Sequence, residues 1–135
     1  MTQENKRLVE QVFKFETSHE IDKVLALFAE DATYEDVPLG VMAEGHAKIR
    51  ELLETMFTSM PDFTMTCVSI VTNEDSGSAE WIQSGTFCGD FGDLKATGKP
   101  FSVRGALIVR FANGRISRWT DYWSKSTFKE QVGLE

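Results

Sequence analysis

One acidic residue lies within an aromatic stretch near the end of the chain. Asp121 stands two positions after Trp119 and two before Trp123. In a strand, this alternation places the three side chains on one face. Burial raises the pKa of an aspartate and makes it usable as a general acid or base. Asp121 is therefore the first catalytic candidate; the alternative is a structural Asp that caps backbone or pairs with an Arg.

A second acidic candidate comes earlier, where Tyr34 and Asp36 share one strand face and Glu35 takes the other. If both aspartates face one cavity, different surroundings would make one an acid and the other a base. The Tyr34 hydroxyl would then hold a carbonyl or epoxide oxygen. The alternatives are a turn role for Asp36 before Pro38 and a core role for Tyr34.

Motifs for other chemistries do not stand out. His19 and His46 lack a metal-ligand spacing, so no metal site is predicted. We find no G-x-S-x-G stretch, no phosphate-binding glycine loop and no Cys–His dyad, so covalent catalysis is not indicated.

Helical patterns come first and strand patterns follow. Three helices are predicted: one over 8–16, a short one with Ser18 as its N-cap and apolar positions up to Phe28, and one after Gly45. A short strand over 32–37 separates the second helix from the third. The predicted strands then cover 63–71, 79–87, 101–111 and 115–123, with a long loop over 88–100. This order predicts one α+β domain over residues 1–135, with three N-terminal helices packed on a strongly curved, mixed or antiparallel sheet. Such a curved sheet leaves a cavity for a small organic molecule.

Strand alternation also predicts which side chains face the cavity or the core. The predicted substrate-binding residues are Trp81, Gln83, Val103, Leu107, Phe111 and Trp119. The opposite face of the third long strand carries Arg104, Ile108 and Arg110. That face is either a dimer surface or a solvated sheet face.

Composition excludes several function classes. Lys and Arg number 14 against 21 Asp and Glu, for a net charge of −7. A phosphate backbone requires clustered cations, so no nucleic-acid partner is expected. The start lacks the apolar region of a signal peptide, and no stretch approaches the roughly 18 apolar residues of a membrane span. We expect a cytoplasmic protein without a membrane partner, with Cys67 and Cys88 reduced.

Several segments resemble a known group of proteins. Residues 28–39 resemble the first strand of limonene-epoxide-hydrolase-like and ketosteroid-isomerase-like proteins. Residues 97–105, 113–116 and 119–123 resemble the SnoaL-like polyketide cyclases. The resemblance implies the cone-shaped, cystatin-like fold of the nuclear transport factor superfamily, which hosts cyclases, isomerases, hydrolases and non-enzymes.

The SnoaL-like cyclases resemble the chain best. They use an Asp in the final-strand region as acid or base in an intramolecular aldol closure and need no cofactor, which implies that role for Asp121. Against ketosteroid isomerases, Asp36 matches the proton-shuttling base, but Val12 and Leu107 stand at the positions of the two oxyanion donors.

Epoxide hydrolases of this group use an Asp-Arg-Asp arrangement. Asp121 matches one Asp and Tyr34 matches the water-positioning Tyr, while Asp36 replaces an Asn. Their R-x-D pair falls on Gln83 and Gly85 or, in another register, on Cys88 and Asp90. Neither register supplies the Arg.

These observations predict a cofactor-free SnoaL-like enzyme of the cyclase or isomerase type. It would use Asp121, Asp36 and Tyr34 on a small apolar carbonyl or polyketide-like substrate. The alternatives are a non-catalytic binding module and an epoxide hydrolase with a rearranged site. Because relatives usually dimerise through the outer sheet face, a homodimer is expected.

Overall fold

A computed structural model describes residues 2–135. The helices are α1 (Thr2–Thr17), α2 (Ile21–Ala26), α3 (Gly45–Ser59) and α4 (Lys125–Val132). The strands are β1 (Phe28–Asp36), β2 (Val41–Glu44), β3 (Thr64–Thr72), β4 (Ser76–Thr86), β5 (Pro100–Ala112) and β6 (Arg115–Trp123). Among these residues, no helix is long and apolar enough to cross a membrane.

The strands form a six-stranded sheet in the order β2-β1-β6-β5-β4-β3. The β1–β6 pair is parallel, and the other neighbouring strands are antiparallel. The sheet is curved and packs with the helices as a cone, which confirms the predicted α+β architecture. Three helices precede β3, β4, β5 and β6, as predicted.

The core forms between the concave sheet face and α1. On β5, Val103, Leu107 and Val109 are buried while their neighbours are exposed, as strand alternation predicts. On α1, the inward stripe continues from Val9 to the buried Glu16, seven residues later and two helical turns on. A carboxyl group therefore extends into an otherwise apolar helix face.

The parallel β1–β6 pair brings the two candidate aspartates together. Asp36 is the register partner of Asp121, and Tyr34 is the partner of Trp119. The backbone N–H of Val37 donates to the carbonyl of Asp121 at 3.1 Å, which continues the pairing past the end of β1. Residues 85 positions apart in sequence thus share one part of the concave face.

The region around α2 differs from the prediction. The N-cap is Glu20, and the Ser18 hydroxyl instead donates to the carbonyl of Phe15 and to the Glu20 carboxylate. Phe28 begins β1 and does not belong to α2, because it pairs with Ile116 of the parallel strand. Tertiary pairing outweighs local helical spacing here.

The sequence patterns missed two elements, β2 and α4. The short β2 pairs with the end of β1. In α4, the Ser124 hydroxyl accepts a hydrogen bond from the Thr127 N–H at 3.2 Å, and Gly133 ends the helix with a left-handed φ of 81°. The Phe128 ring then packs edge-on against Phe87 and Phe101.

Candidate functional site

An apolar cavity lies between the concave sheet face, α3, α4 and the loop after β4. Its volume is about 40 Å³, well below the roughly 300–1,000 Å³ of pockets that bind drug-sized ligands. Its polar lining residues are Tyr34, Asp36, Gln83 and Asp121. The remaining lining residues are Leu39, Leu52, Met56, Met60, Phe87, Phe91, Leu94, Phe101, Val103, Trp123 and Phe128. A larger ligand requires these side chains to move apart.

Asp121 is the most enclosed acidic group of the lining, with 2% of its surface exposed. The Trp81 indole N–H donates to its Oδ1 at 3.2 Å, and the Trp119 N–H lies 3.1 Å from both carboxylate oxygens. Burial raises the pKa of Asp121 well above its ordinary value, and the neighbouring Glu16 and Asp36 add to the rise. The two indole donors lower it but do not reverse the direction.

The Trp81 indole reaches Asp121 because β5 has no side chain in its way. Gly105 is the register partner of Trp81. A Cβ at Gly105 would lie 2.4 Å from the Trp81 ring and 2.7 Å from the Tyr122 carbonyl. This glycine therefore leaves the space in which the indole lies.

Asp36 is held in a similar way but less deeply. The Trp123 N–H lies 3.1 Å from both of its carboxylate oxygens, and the Leu39 N–H donates to Oδ1 at 3.2 Å. Burial raises the pKa of Asp36, while these two donors and the charge of Lys125 lower it. All three tryptophans of the chain thus donate to the paired aspartates.

A third carboxyl group lies behind the cavity wall. Glu16 is fully buried, and the Tyr34 hydroxyl donates to its Oε2 at 2.9 Å. Its Oε1 has no hydrogen-bond partner among the described residues. Burial raises the pKa of Glu16 to about 7, with the Tyr34 bond acting in the opposite direction. Glu16 was not among the predicted site residues, although its spacing from Val9, Val12 and Phe13 marks it as facing inward.

The lining residues include acids but no Lys, Arg or His. Among residues 2–135, no ion pair involves Asp36 or Asp121. Asp90 is exposed and pairs with Lys95 on the loop. The Asp-Arg-Asp arrangement of the epoxide hydrolases therefore has no counterpart in the described lining, and no group of residues in that part of the chain is arranged to hold a metal.

The predicted site residues separate into two groups. Asp121, Asp36, Tyr34, Gln83 and Val103 all line the cavity. The other predicted substrate-binding residues are buried in the core and are not among the lining residues: Trp81, Leu107, Phe111 and Trp119. Two of these, the indoles of Trp81 and Trp119, still reach the site through Asp121. Alternation gave their face correctly but not their depth.

A family description, the SnoaL-like domain, matches residues 9–119. The chain belongs to the SnoaL-like domain family. This SnoaL-like chain is 28% identical to the cyclase AurE of Calcarisporium arbuscula over 112 residues, which cover 78% of the chain and 77% of that protein. The segment that the family description matches, residues 9–119, contains Glu16, Tyr34 and Asp36 but ends two residues before Asp121.

Solved structures share the SnoaL-like fold. A candidate polyketide cyclase from Xanthomonas campestris superposes with a TM-score of 0.83 at 23% identity, covering 97% of this chain and 98% of that one. A Catenulispora acidiphila protein with a ketosteroid isomerase-like fold, solved in complex with trimethylamine, gives 0.83 at 23% identity, covering 95% and 93%. These likenesses identify the fold.

Proposed function

We propose that this chain is a cofactor-free acid–base enzyme of the cyclase or isomerase type, acting on a small apolar carbonyl or polyketide-like molecule. Asp36 removes a proton from the carbon next to a carbonyl group, and neutral Asp121 donates to the oxygen on which negative charge develops. Tyr34 and Gln83 are further hydrogen-bonding partners for a substrate oxygen. Membership of the SnoaL-like family supports this class of function.

One observation carries the proposal: two register-paired aspartates line the same apolar cavity, with indole N–H groups as donors to both. Two adjacent carboxylates in such surroundings resist simultaneous ionisation, because neither burial nor mutual repulsion favours a second charge. Burial raises the pKa of Asp121 well above its ordinary value, and it also raises the pKa of Asp36. Only 2% of the surface of Asp121 is exposed, whereas Asp36 is partly exposed. This difference supports Asp121 as the acid and Asp36 as the base.

The hydrogen bonds also indicate which oxygen of Asp121 carries the transferable proton. Oδ1 accepts from both Trp81 and Trp119, whereas Oδ2 accepts only a shared bond from Trp119. The oxygen with fewer donors is the better site for a proton. We therefore assign the donated proton to Oδ2.

The lining favours an uncharged substrate. It offers aromatic, Leu and Met side chains together with acids, and no cation to pair with a carboxylate or phosphate. The net charge of −7 further disfavours anionic molecules.

We continue to expect a cytoplasmic homodimer, with the exposed Ile108 and the arginines beside it on the outer sheet face as its interface.

Hydrogen–deuterium exchange tests the proposed reaction without knowledge of the natural substrate. In D₂O, the wild-type protein should speed the loss of the α-proton signal from members of a panel of small cyclic ketones and 1,3-dicarbonyl compounds. Asp121→Asn should reduce that rate by roughly 10²–10⁴ while the fold is kept. The matched control is Asp31→Asn, an exposed aspartate on the same strand as Asp36, which should exchange like wild type.

An Asp121→Asn protein with wild-type exchange would refute the proposed role of that residue. Binding without exchange in the wild type would favour the non-catalytic module. Labelled oxygen from water appearing in a diol, across a panel of epoxides, would favour epoxide hydrolysis by a rearranged site.

A further inference from the structure

The buried carboxyl group of Glu16 has a feature that its role in the core does not explain. It occupies an inward position of α1, fully buried, where an apolar side chain would pack at lower cost. One of its oxygens accepts from Tyr34, and the other has no hydrogen-bond partner among the described residues. An ionised carboxylate with an unpaired oxygen in such surroundings is strongly disfavoured. Glu16 is therefore neutral below about pH 7.

Tyr34 connects this buried acid to the cavity. Its side chain lines the cavity, and its hydroxyl lies 2.9 Å from the Glu16 Oε2. A hydroxyl both donates and accepts, so Tyr34 can turn its hydrogen toward a bound oxygen while it accepts one from neutral Glu16. Glu16 itself is not among the lining residues.

We propose that Glu16 is a positioning residue that acts through Tyr34, keeping that hydroxyl supplied with a proton for delivery to a substrate oxygen. The inference rests on the proposed function. When charge develops on a substrate oxygen that lies against Tyr34, this hydroxyl takes the place of Asp121 as proton donor: the Tyr34 O–H bond breaks and a bond from that hydrogen to the substrate oxygen forms. The hydrogen of Glu16 moves to the Tyr34 oxygen, and Glu16 is left as a carboxylate. The reverse transfers restore the resting state.

The charged surroundings of this relay come from four elements. On β1 lie Tyr34 and Asp36, and on β6 lies Asp121, whose pKa the nearby Glu16 raises. On β3, which packs against α1, the ionisable side chain is Cys67; burial raises its pKa, the charge of Glu10 adds to the rise and that of Lys6 opposes it. On α2, the charged side chains of Asp22 and Lys23 are exposed. The acids of the cavity therefore dominate the surroundings of Glu16.

The relay predicts a specific change in the pH profile of α-proton exchange. Glu16→Gln keeps the size of the side chain and an acceptor for Tyr34 but holds no transferable proton. We expect kcat to fall by roughly tenfold or more, with KM nearly unchanged because Glu16 does not line the cavity. Wild type should lose part of its rate as the pH rises through about 7, where Glu16 ionises, and Glu16→Gln should lack that part of the loss. Glu10→Gln, at an exposed position of the same helix, is the matched control.

A double-mutant cycle separates a relay from a structural effect. If Glu16 acts through Tyr34, then Tyr34→Phe combined with Glu16→Gln should be no slower than Tyr34→Phe alone. Additive losses, or a wild-type profile in an active Glu16→Gln protein, would overturn the relay and leave the proposed function standing. Absence of exchange in the wild type would overturn both.

A measurement on the wild type tests the relay even if the variants do not fold. Carboxyl carbon NMR should show that Glu16 is still protonated at pH values where a glutamate is ordinarily ionised, and that it loses its proton near pH 7. A Glu16 carboxyl that is already ionised at pH 5 would overturn the relay whatever the exchange assay gives.

Discussion

The inner and outer halves of the cavity hold the same residue type in different surroundings. In the inner half, Asp121 lies on β6 with Trp81 and Trp119 as donors and is 2% exposed. In the outer half, Asp36 lies at the end of β1 with Trp123 and the Leu39 N–H as donors, and it is only partly buried. The two are register partners on neighbouring strands. Deeper burial, together with the nearby Glu16, therefore favours the neutral form more strongly for Asp121 than for Asp36.

The two halves also differ in what holds them. The inner half is formed by the centres of β4, β5 and β6, where a long register fixes each position. The outer half uses the turn after β1 and the loop after β4, which contributes Phe91 and Leu94 to the lining. Loops and turns open at lower free energy than central strands. We expect ligand entry through the outer half while the inner half keeps its geometry.

Among the variants of the two halves, Asp36→Asn should lose the most activity. Loss of the base should reduce α-proton exchange by roughly 10²–10⁴ and remove the rise in rate on the acidic side of the pH profile. Asp121→Asn should instead act on the alkaline side. Initial rates from pH 4 to 9 check this, and identical profiles for the two variants would contradict separate roles.

The second effect concerns stability and comes from Glu16, which lies behind the cavity wall. Glu16 has a pKa of about 7 in the folded protein against an ordinary value of 4.5. Between those values the unfolded chain binds fewer protons than the folded one, so stability falls as pH rises. The contribution is fully present below pH 4.5, and its loss amounts to about 3 kcal/mol by pH 7.

Urea unfolding at several pH values measures this slope. Glu16→Gln should flatten it across the same window, because the variant has no proton to release there. A variant with the wild-type slope would assign the effect to other groups, such as Asp121, whose raised pKa acts in the same direction.

The smallest effect that we expect concerns the packing of Trp81 against Gly105 in the inner half. Gly105→Ala places a Cβ against the Trp81 ring, and such overpacking costs about 1–3 kcal/mol. Displacement of Trp81 should also raise the pKa of Asp121, since that indole N–H lowers it. The control is Gly85→Ala on β4, where the nearest atom is the Asp62 carboxylate at 3.2 Å, on an exposed side chain. Equal stability losses for the two variants would contradict a special role for Gly105.

Strand alternation predicted much of this site from sequence. Tyr34 with Asp36, and Trp119 with Asp121 and Trp123, share the faces that the pattern assigned to them, and β6 has the predicted bounds. Period-two alternation is a local property, so it can be read without knowing the fold. The presence of both aspartates in one cavity followed only once the parallel β1–β6 pairing was known.

The missed features depend on contacts between distant parts of the chain. The Glu16–Tyr34 bond joins α1 to β1, and the reach of Trp81 to Asp121 depends on the absence of a side chain at Gly105. The signals for α4 were present in Ser124 and Gly133. However, its eight residues are short for a helix that must be recognised by periodicity alone.

The most direct test of the account is the pH titration of Asp36 and Asp121 by carboxyl carbon NMR, in wild type and in each Asp→Asn variant. If Asp121 is the acid and Asp36 the base, Asp121 keeps its proton to higher pH than Asp36, and Asp36→Asn lowers the pKa of Asp121 because a neighbouring negative charge is removed. Two aspartates that titrate independently near the unperturbed value of about 3.9 would contradict it.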